Sequence, residues 1–246
     1  MTNDQLIKLV KQQSRQISQL RSKFFDMQKA LIGSSVIHED SDLYPYEIID
    51  NGSEVTIIAF GGMLTSLGMP RKEFFGSAFN SNNNFIFLKD FWQCWYQKGL
   101  LGITNDIDST VSHIKKILPN TTKKLICIGT SSGGFAAILF AELLKAETSI
   151  SFSPQTYLDR KTFVRFRSPD SRWDDVESSS YLRLYDFITD DVNHFIHVGE
   201  HNHVDMDHAL SLSICPTVTI HKHDTDTHNT AAFLKKSGLL KSFINF

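Results

Sequence analysis

Three cysteines in 246 residues, Cys94, Cys127 and Cys215, are few, odd in number and far apart, with no CxxC pair. Such usage excludes a disulfide framework and a thiolate zinc site, and reads them as reduced core residues. A basic excess is missing as well: 25 Lys plus Arg stand against 27 Asp plus Glu, for a formal charge of −2. Nothing in that balance neutralises nucleic-acid phosphates or grips an anionic membrane, so no nucleic-acid partner is expected. Apolar runs fall well short of the roughly 20 residues that span a bilayer. The opening Met1-Thr2-Asn3-Asp4-Gln5 lacks the basic-then-apolar order of a signal peptide. The expectation is a cytoplasmic protein without a membrane span. Internal repeats and low-complexity tracts are also missing. What is present, 41% hydrophobic, 21% charged and 11% aromatic residues, is the composition of a globular protein with one sizeable core.

Near the start, apolar residues recur at Leu6, Val10, Ile17, Leu20, Phe24, Met27 and Leu31 in alternating steps of four and three, breached at Gln13. That heptad pattern, with a polar surface between, predicts a coiled-coil helix over residues 1–32 that makes the protein a homo-oligomer. A polar, turn-rich linker follows over residues 33–45. From residue 46 onward strands alternate with helices. Tyr46 to Asp50 and Glu54 to Phe60 read as a hairpin through Asn51-Gly52. Further strands are expected at Phe85 to Leu88, Lys124 to Ile128, Ser149 to Phe152, His194 to Val198 and Thr217 to His221. Helices are expected at Ile107 to Leu118, Gly133 to Lys145, Val204 to Leu212 and Asn229 to Lys236. The alternation implies an α/β fold, a mostly parallel sheet with helices on both faces. Pro154 to Asp191 breaks it, being aromatic and rich in arginine, and reads as a lid-like insertion over the carboxyl edge of the sheet.

The strongest local signal is Gly129-Thr130-Ser131-Ser132-Gly133 between an apolar strand and an apolar helix. This is G-x-S-x-G in the strand–turn–helix context that pushes a nucleophilic serine out of a sheet edge. Ser131 is the candidate nucleophile. Its base should come from the loop after the last strand, where His221, His223 and His228 compete; His228, past the polar loop and just before the terminal helix, is preferred. The acid should lie between Gly199 and His208. Asp205, a loop's length beyond its strand, is preferred over Glu200, which leaves the strand at once, and over Asp207, expected in a helix. An oxyanion needs two backbone donors: the N–H of Ser132 and that of Gly62 or Met63 in the turn Gly61-Gly62-Met63.

Eight of the ten histidines fall between His194 and His228. His201-x-His203 and His221-x-His223 make a metal site the rival reading, since alternate strand residues share a face. The triad accounts for His228 without a metal, so no metal ligand is assigned.

These pieces together resemble a bacterial α/β-hydrolase family associated with surface-polysaccharide genes. The likeness runs from Tyr46 to the C-terminus, through Phe60-Gly61-Gly62-Met63, Lys89-Asp90, Trp95-Tyr96-Gln97-Lys98-Gly99-Leu100, the elbow, Phe152-Ser153-Pro154-Gln155-Thr156, Asp205-x-x-His208-Ala209 and His228-Asn229. Asn202 stands where many hydrolases carry their aspartate. A more distant resemblance is to the serine-triad O-acetyltransferase of meningococcal serogroup A capsule. The resemblance implies an α/β-hydrolase fold and acyl transfer, with no bound cofactor, acetyl-CoA as the acyl donor for transfer, and a carbohydrate or small ester as substrate. The alternatives are a simple carboxylesterase and a non-catalytic hydrolase-fold partner of a biosynthetic complex.

Overall fold

Seven segments rich in β-branched and aromatic residues form one sheet in the computed structural model, which describes Gln5 and residues 44–63, 82–160 and 176–244. They are β1 (Tyr46–Ile49), β2 (Val55–Phe60), β3 (Asn84–Leu88), β4 (Lys124–Thr130), β5 (Thr148–Phe152), β6 (Asn193–Gly199) and β7 (Val218–His223). Their order across the sheet is β1-β3-β2-β4-β5-β6-β7. Only the β1–β3 pairing is antiparallel; every other neighbouring pair is parallel. Central strands are buried on both faces, as the continuous apolar runs Ile57-Ile58-Ala59-Phe60 and Ile126-Cys127-Ile128 require.

Helices cover both faces among the described residues. On one side α1 (Ile107–Ile117), α2 (Ser132–Leu144) and α3 (His203–Leu210) pack on Ile58, Phe60, Leu88 and Ile196. On the other, α4 (Thr230–Lys236) and α5 (Leu240–Ile244) set Ala231, Leu234, Leu240 and Ile244 on Ile57, Phe85, Ile128 and Phe152. Helix α1 is amphipathic and starts with a capping box, in which Asp106 accepts from the Ser109 N–H at 2.7 Å. Helix α2 is apolar all round because it is the central helix: every residue from Phe135 to Ala141 is fully buried. Burying each of its large side chains contributes about 1.5–3 kcal/mol, so this helix anchors the sheet beneath the elbow.

Two expectations need correction. The Asn51-Gly52 turn forms, with Gly52 at φ 71°, but it does not join a hairpin. Strand β3 inserts between β1 and β2. The Asn84 side chain accepts from the Asn51 and Ser53 N–H groups at 2.8 and 3.1 Å and donates to the Ser53 carbonyl at 2.7 Å, so the turn closes on β3 rather than on its own strands. The sequence reading also stopped the terminal helical region at Lys236, whereas α5 follows it.

The strand order reverses between β2 and β4, and ligands of open α/β sheets lie outside the carboxyl ends of strands at such a switch point. The chain divides into two units, Met1–Tyr44 and Pro45–Phe246. Apart from Gln5, the expected heptad helix, 1–32, lies outside the described residues, as do most of the linker and Lys161, Arg165, Arg167 and Arg172 of the insertion. The described ends of that insertion meet in an antiparallel bridge between Tyr157 and Arg183. Gln155 and Thr156 are buried there, so this end of the insertion is part of the core rather than a solvated lid. No described helix is long and apolar enough to cross a membrane.

Candidate active site

At the end of β4 the chain turns so sharply that Ser131 takes φ 53° and ψ −119°. A non-glycine residue held there stores roughly 1–3 kcal/mol of strain, which the surroundings must over-determine. They do so by close approach: a Cβ on Gly129 would collide with the Gly133 carbonyl, and one on Gly133 with the Phe60 carbonyl. The glycine frame is therefore steric, and any side chain in it would push the turn apart. The Ser131 N–H donates to the Phe152 carbonyl at 2.9 Å, which ties the turn to β5, and α2 starts at the next residue.

His228 reaches this serine from the other end of the chain. Beyond β7 the loop closes on Asn229, whose side chain caps α4 by accepting from the Ala232 N–H at 3.2 Å. The cap is thus Asn229, and the imidazole of His228 points into the site. Its Nε2 lies 2.9 Å from Ser131 Oγ, and its Nδ1 lies 2.9 Å from both carboxylate oxygens of Asp205. This arrangement assigns the tautomer: Nδ1–H donates to the carboxylate, and Nε2 accepts from the serine hydroxyl. Asp205 lies in the first turn of α3, inside the helix expected from Val204 onward. There Asn202 caps the helix by accepting from the Asp205 N–H at 3.2 Å. Asn202 also donates to the Asp226 carbonyl at 3.2 Å, so one side chain binds the acid loop to the histidine loop. The Asp205 side chain is 3% exposed and that of His228 39%, a buried carboxylate beneath a reachable imidazole.

The other candidates go elsewhere. Glu200 and Asp207 are exposed, and Glu200 lies 3.5 Å from His201. Three of the clustered histidines are buried structural groups rather than spare surface residues. His194 bridges Ser149 Oγ and Glu142 Oε1 at 2.7 and 2.8 Å. His208 receives the Thr156 N–H at 3.3 Å. His197 stacks on His221 with centroids 4.6 Å apart and meets His223 Nε2 through Nδ1 at 3.1 Å. Burial, then the nearby His221 and His223, push its pKa down to about 3. Among the described residues the group with metal-ligand spacing is Glu200, His201 and Asp224, all exposed. His203 is not part of it.

Gly61, Gly62 and Met63 follow β2 directly beside the elbow; a Cβ on Gly62 would lie 3.1 Å from the Thr130 carbonyl oxygen. The turn is fixed by the Gly61 N–H on the Leu88 carbonyl at 3.0 Å, the Tyr96 hydroxyl on the Gly61 carbonyl at 3.1 Å, and Gln93 Nε2 on the Met63 carbonyl at 2.9 Å. Ser132, fully buried, is the first residue of α2. One neighbour of the serine escaped the sequence reading: Gln155, 2% exposed, with Nε2 3.4 Å from Ser131 Oγ. Its visible signal was a polar residue three places past the end of an apolar strand.

No protein-family model matches the chain, and no curated protein matches it in sequence. Solved structures do. The capsule O-acetyltransferase of Neisseria meningitidis serogroup A superposes with a TM-score of 0.58 at 17% identity, over 82% of this chain and 92% of that one. A histidine-to-alanine mutant of the same enzyme, in complex with CoA, gives 0.56 at 18% identity over the same shares, 82% and 92%. An esterase of Pyrococcus furiosus gives 0.54 at 16% identity over 85% of this chain and 92% of that one. At such identities the likeness shows a shared fold, and the distant resemblance read from the sequence holds at that level.

Proposed function

We propose that this protein is an α/β-hydrolase-type enzyme that transfers an acyl group through a covalent acyl-Ser131 intermediate, with a carbohydrate hydroxyl as acceptor and acetyl-CoA as donor. The observation that carries the reading is the continuous chain from Ser131 Oγ through the His228 imidazole to Asp205, with both links at 2.9 Å. A serine hydroxyl alone is too weak a nucleophile, and an adjacent oriented base is what activates it.

In this reading Ser131 Oγ attacks the acyl carbonyl while its proton passes to His228 Nε2. Asp205 holds the ring in the productive tautomer and stabilises the imidazolium that forms. The oxyanion takes hydrogen bonds from the N–H of Ser132 and from that of Gly62 or Met63. Collapse expels the leaving group, which takes the proton from His228. The acceptor then attacks acyl-Ser131, giving its proton to the same nitrogen, and collapse releases Ser131 Oγ, which takes that proton back from His228. A sugar hydroxyl as acceptor makes the enzyme an O-acetyltransferase, and water makes it an esterase. The donor is supported by the neighbour solved with CoA, and the class of reaction by the acetyltransferase and esterase folds it shares. Arg160 and Arg183, both exposed on the insertion, are the described cations that could meet donor or glycan phosphates.

The test is to incubate the protein with acetyl-CoA radiolabelled in the acetyl group, with and without capsule oligosaccharides. Label is expected on Ser131 and then on the glycan. Label appearing only as free acetate identifies an esterase, and no label on the protein or on any product overturns the reading.

A further inference from the structure

Ser131 Oγ has two polar side-chain neighbours, the His228 imidazole and the Gln155 amide. His228 arrives just ahead of α4, which packs on the face of Ile57 and Phe152. Gln155 lies on the opposite face, the side of α2 and Trp95: Pro154 packs against Gly134 of α2, and the Trp95 indole N–H donates to Gln155 Oε1 at 3.1 Å. Because an indole nitrogen only donates, the amide oxygen must face Trp95 and the NH2 must face the serine. The serine proton belongs to His228 at 2.9 Å rather than to Gln155 Oε1 at 3.5 Å. Gln155 Nε2, at 3.4 Å, is therefore a buried donor only loosely engaged by the resting serine. It is a second polar group, besides the His228 imidazole, close to Oγ, where the acyl carbonyl must come.

The amide is held there by an over-determined framework. The Asp90 carboxylate accepts from the N–H groups of Cys94 and Tyr96 at 2.8 and 3.1 Å. The loop it organises places three non-glycine residues, Gln93, Trp95 and Tyr96, at φ 54°, 56° and 61°. Such a concentration of left-handed residues is strained and persists only where packing demands it. The same loop holds the Gly61–Met63 turn through Tyr96 and Gln93. On the far side of Gln155, the Thr156 hydroxyl donates to the His208 carbonyl of α3 at 2.8 Å, so the helix carrying Asp205 fixes this backbone too.

We infer that Gln155 is a further catalytic residue, a side-chain hydrogen-bond donor to the oxyanion formed on the acyl carbonyl, preorganised by Trp95. The inference rests on the acyl-Ser131 reading above. As Oγ bonds to the carbonyl carbon and its proton moves to His228, the carbon–oxygen π pair becomes a localised charge on oxygen. A fixed amide N–H strengthens its bond to that charge without having to reorganise.

The test uses the full chain and p-nitrophenyl acetate, with 2,2,2-trifluoroacetophenone as a carbonyl that captures the serine as a tetrahedral adduct. Gln155→Met keeps the side-chain length and removes the donor. It is expected to lower kcat about a hundredfold with KM unchanged and to weaken the trifluoroketone by a similar factor, the size seen when one oxyanion donor is lost. Gln155→Glu keeps the acceptor for Trp95 and replaces the donor by an acceptor, so it should be at least as damaging, and it decides the matter if Gln155→Met does not fold. A folded variant with kcat within about threefold of the parent, or with lowered kcat but unchanged trifluoroketone affinity, overturns the inference. Ser131→Ala separates the two readings: turnover surviving in that variant defeats the acyl-enzyme itself, whereas a dead Ser131→Ala beside a fully active Gln155→Met defeats only the role of Gln155.

Discussion

His228 and His197 belong to the same edge of one sheet and face opposite chemical situations. His228 has a buried carboxylate at Nδ1, a serine at Nε2 and a side chain 39% exposed. His197, 1% exposed, is stacked on Phe152 and His221 with centroids 5.0 and 4.6 Å away, is tilted against Phe243, and meets only another imidazole through Nδ1. A ring that must accept a proton during a reaction needs a counter-charge and a path to solvent. A ring denied both is held neutral and serves as an aromatic plate.

The comparison breaks most sharply at the serine. Ser131→Ala or His228→Ala should remove labelling by a fluorophosphonate probe and lower any turnover at least 10⁴-fold, about 5 kcal/mol of barrier, while circular dichroism shows the fold kept. His197→Phe should leave labelling within about threefold of the parent. Next in size is Asp205→Asn, expected to cost nearly as much as His228→Ala because an amide leaves the imidazole in the wrong tautomer. Glu200→Gln and Asp207→Asn should be mild, and a crippled Glu200→Gln would move the acid to that loop position.

A smaller effect sharpens the other half of the comparison. In the unfolded chain His197 takes its proton near pH 6.5; in the folded protein it does so only near pH 3. Between those values the unfolded state binds more protons, so stability falls as pH drops, at up to about 1.4 kcal/mol per pH unit from this residue. His221 and His223 are lowered too, first by burial, and act in the same direction. Urea midpoints measured at pH 7 and pH 5 should therefore fall more for the parent than for His197→Phe. The smallest effect on the site is expected from deleting the first 32 residues. The heptads from Leu6 to Leu31 predict that light scattering will show a dimer reduced to a monomer, with labelling of Ser131 unchanged. A monomeric full-length chain at micromolar concentration would defeat the coiled-coil reading.

How much of this was legible beforehand varied with the range of the interactions involved. The acid was a choice among Glu200, Asp205 and Asp207, because all three stand within eight residues of one another and composition does not distinguish them. The carboxylate that meets His228 is set by the Asn202 cap, which begins α3 early and turns Asp205 inward, and by the Asn202–Asp226 link between loops. The histidine cluster left a metal site as the rival reading, because spacing alone does not show which rings are buried. Its burial depends on α5 bringing Phe243 onto His197, His221 and His223, and α5 had no strong pattern of its own.

By itself the sequence determined the alternation of strands and helices and the elbow at Ser131, because both are written in local patterns: apolar runs of strand or helix length, and a glycine frame in which the missing Cβ of Gly129 admits the Gly133 carbonyl four residues on. Tertiary structure alone decided the placement of β3 between β1 and β2, the carboxylate at His228 Nδ1 and the amide of Gln155 at the serine. Each of these joins segments from 23 to 60 residues apart. Which polar group meets which across such distances is settled by the packing of whole elements, in a core where a buried donor left unsatisfied would cost about 1–3 kcal/mol.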